Sequence, residues 1–165
     1  MSTEFSSIDE GHLGRCVELA TRALENGDDP FGSVLVDADG AVLTEALNRE
    51  RSDRDPTAHP ELALVRWAIA HLTPDQRATT TVYTSGEHCP MCSAAHGWSG
   101  LGRVVAAASA AQLAEWRASW GLPAGPVNPL PLTDIAPDVV VIAPVAPFDA
   151  QMHDVHRRAL GRMAQ

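Results

Sequence analysis

Three side chains that can bind a metal ion stand in two short fragments of the sequence. His59 begins the fragment His-Pro-Glu, while Cys89 and Cys92 bound the fragment Cys-Pro-Met-Cys. A structural zinc site uses four protein ligands, whereas a catalytic site uses three and leaves the fourth position to water. We therefore predict a catalytic zinc ion held by these three residues. A structural zinc knot, with His88 or His96 as a fourth ligand, is the alternative.

A glutamate follows the zinc histidine at the second position. Because one turn of an α-helix has 3.6 residues, Glu61 projects to a different side from His59 and is not expected to bind the ion. Its carboxylate can instead lie beside the attacking water. We predict that Glu61 is a proton shuttle. We also predict that both zinc motifs begin helices, where the helix dipole favours thiolates.

Together these motifs resemble the zinc deaminases of the cytidine deaminase-like superfamily, whose signature is His-x-Glu followed by Pro-Cys-x-x-Cys. The resembled branch holds guanine deaminases, cytosine deaminases and tRNA-specific adenosine deaminases. Residues 29–32 (Asp-Pro-Phe-Gly), 47–49 (Leu-Asn-Arg) and 56–59 (Pro-Thr-Ala-His) are similar to further segments of the family. Residues 83–92, with Trp98 after them, look more like guanine deaminases than tRNA deaminases.

The resemblance implies an enzyme that hydrolyses a cyclic amidine and releases ammonia. In this scheme Glu61 takes a proton from the attacking water, passes it to the ring nitrogen beside the amine-bearing carbon, and helps ammonia leave. The favoured substrate is a free nucleobase or related aminated heterocycle of guanine, cytosine or s-triazine type. The alternatives are a tRNA-specific adenosine deaminase and a noncatalytic zinc-binding protein of the same fold.

The resemblance also implies a set of substrate contacts. They are Asn48, the backbone of Ala58, Ser85, Gly86 and Glu87, the apolar walls Phe31 and Trp98, and Phe148 in a C-terminal segment that covers the pocket. The chain departs from the family at Pro60, where alanine is usual, and at His88, where proline is usual. Proline in the first helical turn sacrifices no hydrogen bond, so His59 and Glu61 keep their places. We expect His88 to alter which base is accepted.

The charge of the chain weighs against a nucleic-acid substrate. Its formal net charge is −9, from 21 acidic and 12 basic residues, and every basic residue is an arginine. Binding folded RNA usually needs rows of Lys and Arg that replace phosphate counterions. Arg49, Arg51 and Arg54 precede the zinc histidine, but the acidic residues that alternate with them largely cancel their charge. We therefore expect a small-molecule substrate.

Hydrophobic periodicity and turn signals predict alternating strands and helices. Helices are predicted over 9–26, 56–72, from 90 onward, over 109–121 and over 149–163, strands over 31–36, 41–46, 80–84, 103–108 and 139–143, and an irregular segment over 123–137. Strands 31–36 and 41–46 should form an antiparallel hairpin, and helix 56–72, apolar nearly all round, should be buried. This order predicts an α/β fold, a three-layer α-β-α sandwich with a mixed sheet of roughly five strands, in one domain over 1–165.

Cysteine use and hydropathy bear on the location of the protein. Cys16 lies on the apolar stripe of the first predicted helix and is expected to be a buried thiol. No stretch approaches the roughly 18 apolar residues of a membrane span, and residues 1–10 are polar, unlike a signal peptide. We expect a soluble, cytoplasmic enzyme with no membrane partner. Because the resembled family commonly forms dimers through its helices, we also expect a homodimer.

Overall fold

Five strands form one mixed sheet at the centre of the computed structural model, which describes residues 7–163 and so leaves out part of the polar N-terminal segment discussed above. They are β1 (Gly32–Val36), β2 (Val42–Leu47), β3 (Thr81–Gly86), β4 (Arg103–Ala108) and β5 (Val141–Ile142). Their order across the sheet is β2-β1-β3-β4-β5. Strand β1 is antiparallel to β2 and β3, whereas β4 is parallel to β3 and β5. The predicted hairpin and mixed sheet are confirmed.

Helices cover both faces of this sheet. Those in the described range are α1 (Ser7–Asn26), α2 (Pro60–His71), α3 (Pro74–Ala78), α4 (Pro90–Ser99), α5 (Ala110–Ser119), α6 (Leu132–Ile135) and α7 (Phe148–Met163). One face packs against α1 and α7, and the other against α2, beside which α4 and α6 lie. The predicted three layers are therefore confirmed. No helix within residues 7–163 is long and apolar enough to cross a membrane.

Two apolar cores lie on opposite sides of the sheet because side chains alternate along each strand. In β1, Val34 and Val36 point into the core under α1 and α7, whereas Leu35 points into the core under α2. Cys16 is fully buried in the first core, as predicted, and burial raises the pKa of its thiol. The helices that carry the zinc motifs, α2 and α4, lie on the side of the second core.

Helix α2 begins later than the sequence predicts, at Pro60 instead of residue 56. A proline disfavours helical backbone in the residue before it. His59 accordingly has extended dihedrals, with φ −83° and ψ 142°, and stands just outside the helix. The helix is also less buried than predicted, since Ile69 is 55% exposed.

Three other elements differ from the sequence-based expectation. The segment predicted to be irregular contains the short helix α6, and the unpredicted helix α3 begins with a capping box in which Thr73 and Gln76 bond each other's backbone. The signal for α3, a threonine followed three residues later by glutamine, was present in the sequence. Strand β5 has only two residues, because Pro144 has no N–H with which to continue the ladder.

Candidate metal centre and pocket

The three predicted ligands meet where two helices begin. His59 and Cys89 are the N-cap residues of α2 and α4, and Cys92 lies in the first turn of α4. The Nδ1 atom of His59 is 3.6 Å from Sγ of Cys89 and 3.7 Å from Sγ of Cys92. Bonds of about 2.3 Å to sulfur and about 2.0 Å to nitrogen, at tetrahedral angles, separate these atoms by about 3.5 Å. The donor set therefore fits zinc without rearrangement, and the sequence prediction of the ligands agrees with this geometry.

A carboxylate outside the ligand set orients the zinc histidine. Nε2 of His59 lies 3.0 Å from Oε1 of Glu50, and a donating N–H there leaves the lone pair of Nδ1 facing the two cysteines. The other carboxylate oxygen of Glu50 accepts a hydrogen bond of 3.2 Å from the amide of Asn48. Sequence spacing did not identify Glu50, because it lies in the arginine-rich loop, nine residues before the histidine.

The two thiols and the imidazole change one another's pKa values because they are hydrogen-bonded to each other. Hydrogen bonding from Cys92, assisted by His59, lowers the pKa of Cys89 to about 4, whereas sharing that proton raises the pKa of Cys92. Hydrogen bonds to Cys89 and then Glu50 raise the pKa of His59 to about 10. Zinc binds thiolates and neutral imidazole, so the protons that the cluster holds are the ones an ion displaces on binding.

Glu61 lies beside the three ligands but is not one of them. It stands in the first turn of α2 and is only 4% exposed. One of its carboxylate oxygens, Oε2, is 3.8 Å from Sγ of Cys92. Desolvation by burial raises the pKa of this carboxyl. A buried carboxyl with a raised pKa next to a metal site is suited to carry protons near neutral pH.

Two hydroxyl groups hold the other oxygen of Glu61. Oγ1 of Thr84 is 2.9 Å and Oγ of Ser33 is 3.3 Å from Oε1, and the two hydroxyls are 2.9 Å from each other. Ser33 in β1 and Thr84 in β3 are directly paired across the sheet. The sequence analysis missed both. The sequence does carry a signal for them. Each lies two positions from a core residue, Leu35 or Val82, so its hydroxyl is on the same buried face of the strand, under α2.

A cavity of about 400 Å³ opens in front of His59 and Glu61. Phe31 lines it, as predicted. The segment 122–130 and helix α5 form its other walls, which the sequence analysis did not anticipate because residues 123–137 carried no periodic pattern. The first residue of α5 and the first residue of α6, Ala110 and Leu132, both donate backbone N–H groups to the carboxylate of Glu87, at 2.8 and 2.7 Å. Glu87 lines the cavity, but its oxygens already hold these two helices.

The other predicted contacts near β3 divide between the cavity and the core. His88 lines the cavity, although its ring is 1% exposed and packs edge-on against His96 at 5.2 Å. The hydroxyl of Ser85 accepts a hydrogen bond from the backbone N–H of Gly32, and the carbonyl oxygen of Gly86 lies 3.0 Å from Oγ1 of Thr84. Ser85 and Gly86 therefore support the strand ends behind the cavity and do not line it.

Four predicted substrate contacts lie elsewhere in the structure. Trp98 is 92% exposed and borders a separate groove of about 620 Å³, because six positions after Cys92 the helix has turned to its other side. Phe148 begins α7 and packs into the core near Gly14. Asn48 is buried and bonds Glu50, and the backbone of Ala58 is bonded within the loop to Arg49 and Asp55. None of the four lines the cavity beside Glu61.

Two arginines of the arginine-rich loop pair with carboxylates, one within the loop and one outside it. Arg49 pairs with Asp53 at 2.6 Å, and Arg51 pairs with Asp29 at 3.0 Å. The buried carboxylate of Asp28 accepts two backbone N–H groups of this loop, each at 2.9 Å. These bonds fix the loop that carries Glu50 to the zinc histidine.

Sequence relatives match nearly two thirds of the chain. A probable cytosine deaminase of Schizosaccharomyces pombe is 37% identical over 106 residues, which are 63% of this chain and 62% of that protein. A guanine deaminase of Bacillus subtilis is 39% identical over 107 residues, 64% of this chain and 68% of its own. A tRNA-specific adenosine deaminase of Haemophilus influenzae is 34% identical over 104 residues, 63% of this chain and 60% of its own. The match thus spans less than two thirds of the cytosine and tRNA deaminases.

Solved structures extend the likeness to nearly the whole fold. A structure of the guanine deaminase of Nitrosomonas europaea aligns with 92% of this chain and 84% of its own, at a TM-score of 0.71, and its 20% identity makes this evidence of fold alone. The Bacillus subtilis guanine deaminase structure aligns with 64% of this chain and 68% of its own, at a TM-score of 0.58 and 38% identity. The family model described as the cytidine and deoxycytidylate deaminase zinc-binding region matches residues 6–108, more than half of the chain. The chain therefore belongs to the cytidine and deoxycytidylate deaminase family of zinc-binding proteins.

Proposed function

We propose that this protein deaminates a free nucleobase or a related aminated heterocycle, of guanine, cytosine or s-triazine type, by zinc-dependent hydrolysis that releases ammonia. One observation carries the proposal. The Glu61 carboxylate is buried beside a three-ligand metal set, and hydroxyl groups hold one of its oxygens while the other faces the set. A structural zinc knot does not require such a carboxylate, and it requires a fourth ligand.

The two oxygens of Glu61 have different tasks in this proposal. Zinc, when bound by His59, Cys89 and Cys92, supplies a Lewis acid that makes water a nucleophile near neutral pH. Oε1 keeps the carboxyl in place through Thr84 and Ser33. Oε2 takes a proton from the attacking water and delivers it to the ring nitrogen of the substrate. It then takes the proton of the hydroxyl group left on the attacked carbon and gives it to the amine, which leaves as ammonia. Phe31 supports the ring as an apolar wall.

Several observations support a small base over RNA. Two of the relatives named above are a guanine and a cytosine deaminase, although the tRNA-specific relative is nearly as similar. The chain has a formal net charge of −9 and no lysine. Two arginines in the loop beside the site are paired with carboxylates, which reduces their attraction for phosphate.

The test is ammonia release from zinc-loaded protein with guanine, cytosine, ammeline, adenine, cytidine and tRNA as substrates. We expect turnover of at least one free base and a fall of at least about 10²-fold in kcat for Glu61→Gln, with zinc content unchanged. Activity of Glu61→Gln equal to that of the parent would refute the proton shuttle. Activity on tRNA alone would assign the protein to RNA editing, and inactivity on every substrate would support a noncatalytic role.

We also propose that His88 affects which base the enzyme accepts, and the same panel of bases tests this. It replaces the proline that the family usually has before the first zinc cysteine, and it lines the cavity. Its burial against His96 lowers its pKa. We expect His88→Pro to change the order of kcat/KM values across the bases, and the same order in both proteins would remove His88 from the specificity of the enzyme.

We also propose that the protein is a cytoplasmic homodimer. The groove beside Trp98 is then the interface between the two copies. The groove is lined by apolar residues of α4 and α6, and Trp98 leaves nearly its entire ring exposed there. Sedimentation equilibrium should give twice the 17.6 kDa chain mass. Trp98→Ser should shift the mass towards one chain, whereas Val42→Ser, at the opposite edge of the sheet, should not. A parent protein that sediments as a single chain would exclude the dimer.

A further inference from the structure

The cavity in front of Glu61 has a further part of its wall that the proposed deamination does not use. We call it the outer pocket. Helix α5 contributes Leu113, Ala114 and Ala118 to it, and the segment 122–130 contributes Leu122, Val127 and Leu130. The whole cavity, about 400 Å³, falls in the range of sites that hold drug-sized ligands, which have more atoms than a bare base.

The outer pocket offers almost no polar partner. Its six lining side chains are apolar, and the polar side chains that border it, Arg117 and Asn128, are exposed at its rim. One of them is already engaged, since Nη2 of Arg117 donates to the carbonyl of Pro123 at 3.3 Å. A ligand hydroxyl that these side chains shield from water without supplying a hydrogen bond weakens binding by about 5- to 150-fold. A ribose therefore fits the chemistry of the outer pocket poorly.

Apolar side chains of the outer pocket are left partly uncovered. Val127 is 59% exposed and Leu130 is 43% exposed, although both line the cavity that leads to Glu61. Removing apolar surface from water is favourable in proportion to the area removed. An apolar group on a bound ring can cover these side chains, because inner and outer parts belong to one continuous cavity.

We propose that the outer pocket binds an apolar substituent of the substrate, so that the preferred substrates are aminated heterocycles with an alkyl or aryl group instead of nucleosides. This inference rests on the proposed deamination, since it takes the amidine carbon to lie beside Glu61. The ring atom opposite the reacting carbon then points into the outer pocket. In a cytosine that atom is N1, the position at which cytidine carries ribose.

The experiment separates binding from turnover. Cytosine, 1-methylcytosine, 1-propylcytosine, 1-benzylcytosine and cytidine are titrated calorimetrically into zinc-loaded Glu61→Gln protein, and the same compounds are assayed for ammonia release with the parent. A parallel series uses guanine, 9-propylguanine and guanosine. We expect the propyl compound to bind about tenfold more tightly than the bare base in at least one series, and the nucleoside to bind less tightly than the propyl compound.

Wall variants identify the part of the cavity responsible. Val127→Ser and Leu130→Ser should each reduce the affinity ratio of propyl to bare base by about threefold, whereas Val42→Ser, an equally exposed valine on β2, should leave the ratio unchanged. Equal affinity for bare and substituted bases, or preference for the nucleoside, would overturn the inference while leaving deamination of bases intact. If the ratio holds but the parent releases no ammonia from any compound, the deamination proposal fails and the apolar site remains.

Discussion

At the scale of single residues, the site depends on side chains that hold other side chains. Glu50 lies on the far side of His59 from the ligand set, and a hydrogen bond to Nε2 selects the imidazole tautomer whose Nδ1 can bind zinc. His59 in turn lowers the pKa of the Glu50 carboxyl through this bond. Glu50 is thus ionised and ready to stabilise a histidine that donates to it, which makes it a positioning residue for the metal.

Replacing Glu50 should weaken zinc binding. Loss of a carboxylate that supports a ligating histidine typically costs about 10–100-fold in metal affinity. We expect this loss for Glu50→Ala and a smaller one for Glu50→Gln, which can still accept a hydrogen bond. The measurement is zinc competition against a chromophoric chelator. Asp53→Ala is the control, since it breaks an exposed ion pair in the same loop. An unchanged zinc affinity in Glu50→Ala would contradict the role of Glu50.

The sequence predicted the residues of the metal site and missed those that support them. Metal ligands come in fixed types at short spacings, so His59, Cys89 and Cys92 could be found without coordinates. The position of Thr84 in β3 indicates only that its hydroxyl faces the side of the sheet that α2 covers. That this hydroxyl reaches Glu61 depends on how the sheet and α2 pack, which leaves no local pattern. For Trp98 the motif position was informative about the family but not about the side of α4 on which the ring lies.

At the scale of elements, prolines and glycines determine where helices begin and how closely they pack, and so where the functional side chains lie. Pro60 and Pro90 start α2 and α4, so the residues before them are extended and turn His59 and Cys89 towards each other. On the opposite face of the sheet, Gly32 opens β1 and lets α1 approach closely. Ser33 follows directly, so this packing also fixes one of the hydroxyls that hold Glu61.

Two glycine substitutions should have opposite effects on stability. A Cβ atom at Gly32 would lie 2.8 Å from the backbone of Ala20 and of Cys16, so Gly32→Ala must displace α1 and should lower the free energy of unfolding by about 1–3 kcal/mol. A Cβ atom at Gly11, exposed within α1, meets nothing within 4 Å. Gly11→Ala should therefore raise the free energy of unfolding by about 0.5–1 kcal/mol, because glycine is a poor helix former.

Urea denaturation of the zinc-loaded proteins gives both differences. The two variants make the same chemical change, so a shared shift of the midpoint would point to the unfolded state and contradict the packing explanation for Gly32.

Helix and strand types were largely predictable from periodicity, as β4 shows. The close approach at Gly32 was not predictable, because a single glycine at a strand start does not reveal which helix lies above it.

At the scale of the whole molecule, the two sides of the sheet are connected through the cavity wall. Phe31 faces the cavity, and its ring also contacts His156 of α7 edge-on at 5.0 Å. The same histidine lies 6.1 Å from the ring of Trp116 in α5. The layered architecture could be predicted from the order of elements. The cavity could not, since Phe31 is far in the sequence from its other walls, α5 and the segment 122–130, and that segment has no periodic pattern.

His156 makes the stability of this arrangement dependent on pH. Its Nε2 atom is buried and has no hydrogen-bond partner among the described residues. Desolvation, followed by the nearby charges of Arg117 and His153, lowers its pKa to about 4. In the unfolded chain a histidine has a pKa of about 6.5, so between pH 6.5 and 4 the unfolded state binds more protons than the folded state. The free energy of unfolding must therefore fall as the pH is lowered through this window.

Substitution of His156 should reduce that loss. A pKa difference between about 4 and about 6.5 corresponds to about 3 kcal/mol, complete only below the lower value. We expect His156→Leu to keep a packed ring environment without a group that titrates. Between pH 7 and pH 4.5 its free energy of unfolding should then fall by about 2 kcal/mol less than that of the parent. Urea denaturation at closely spaced pH values measures the difference, in which the carboxyl groups common to both proteins cancel. Parallel curves for parent and variant would mean that His156 takes up its proton equally in the folded and unfolded states.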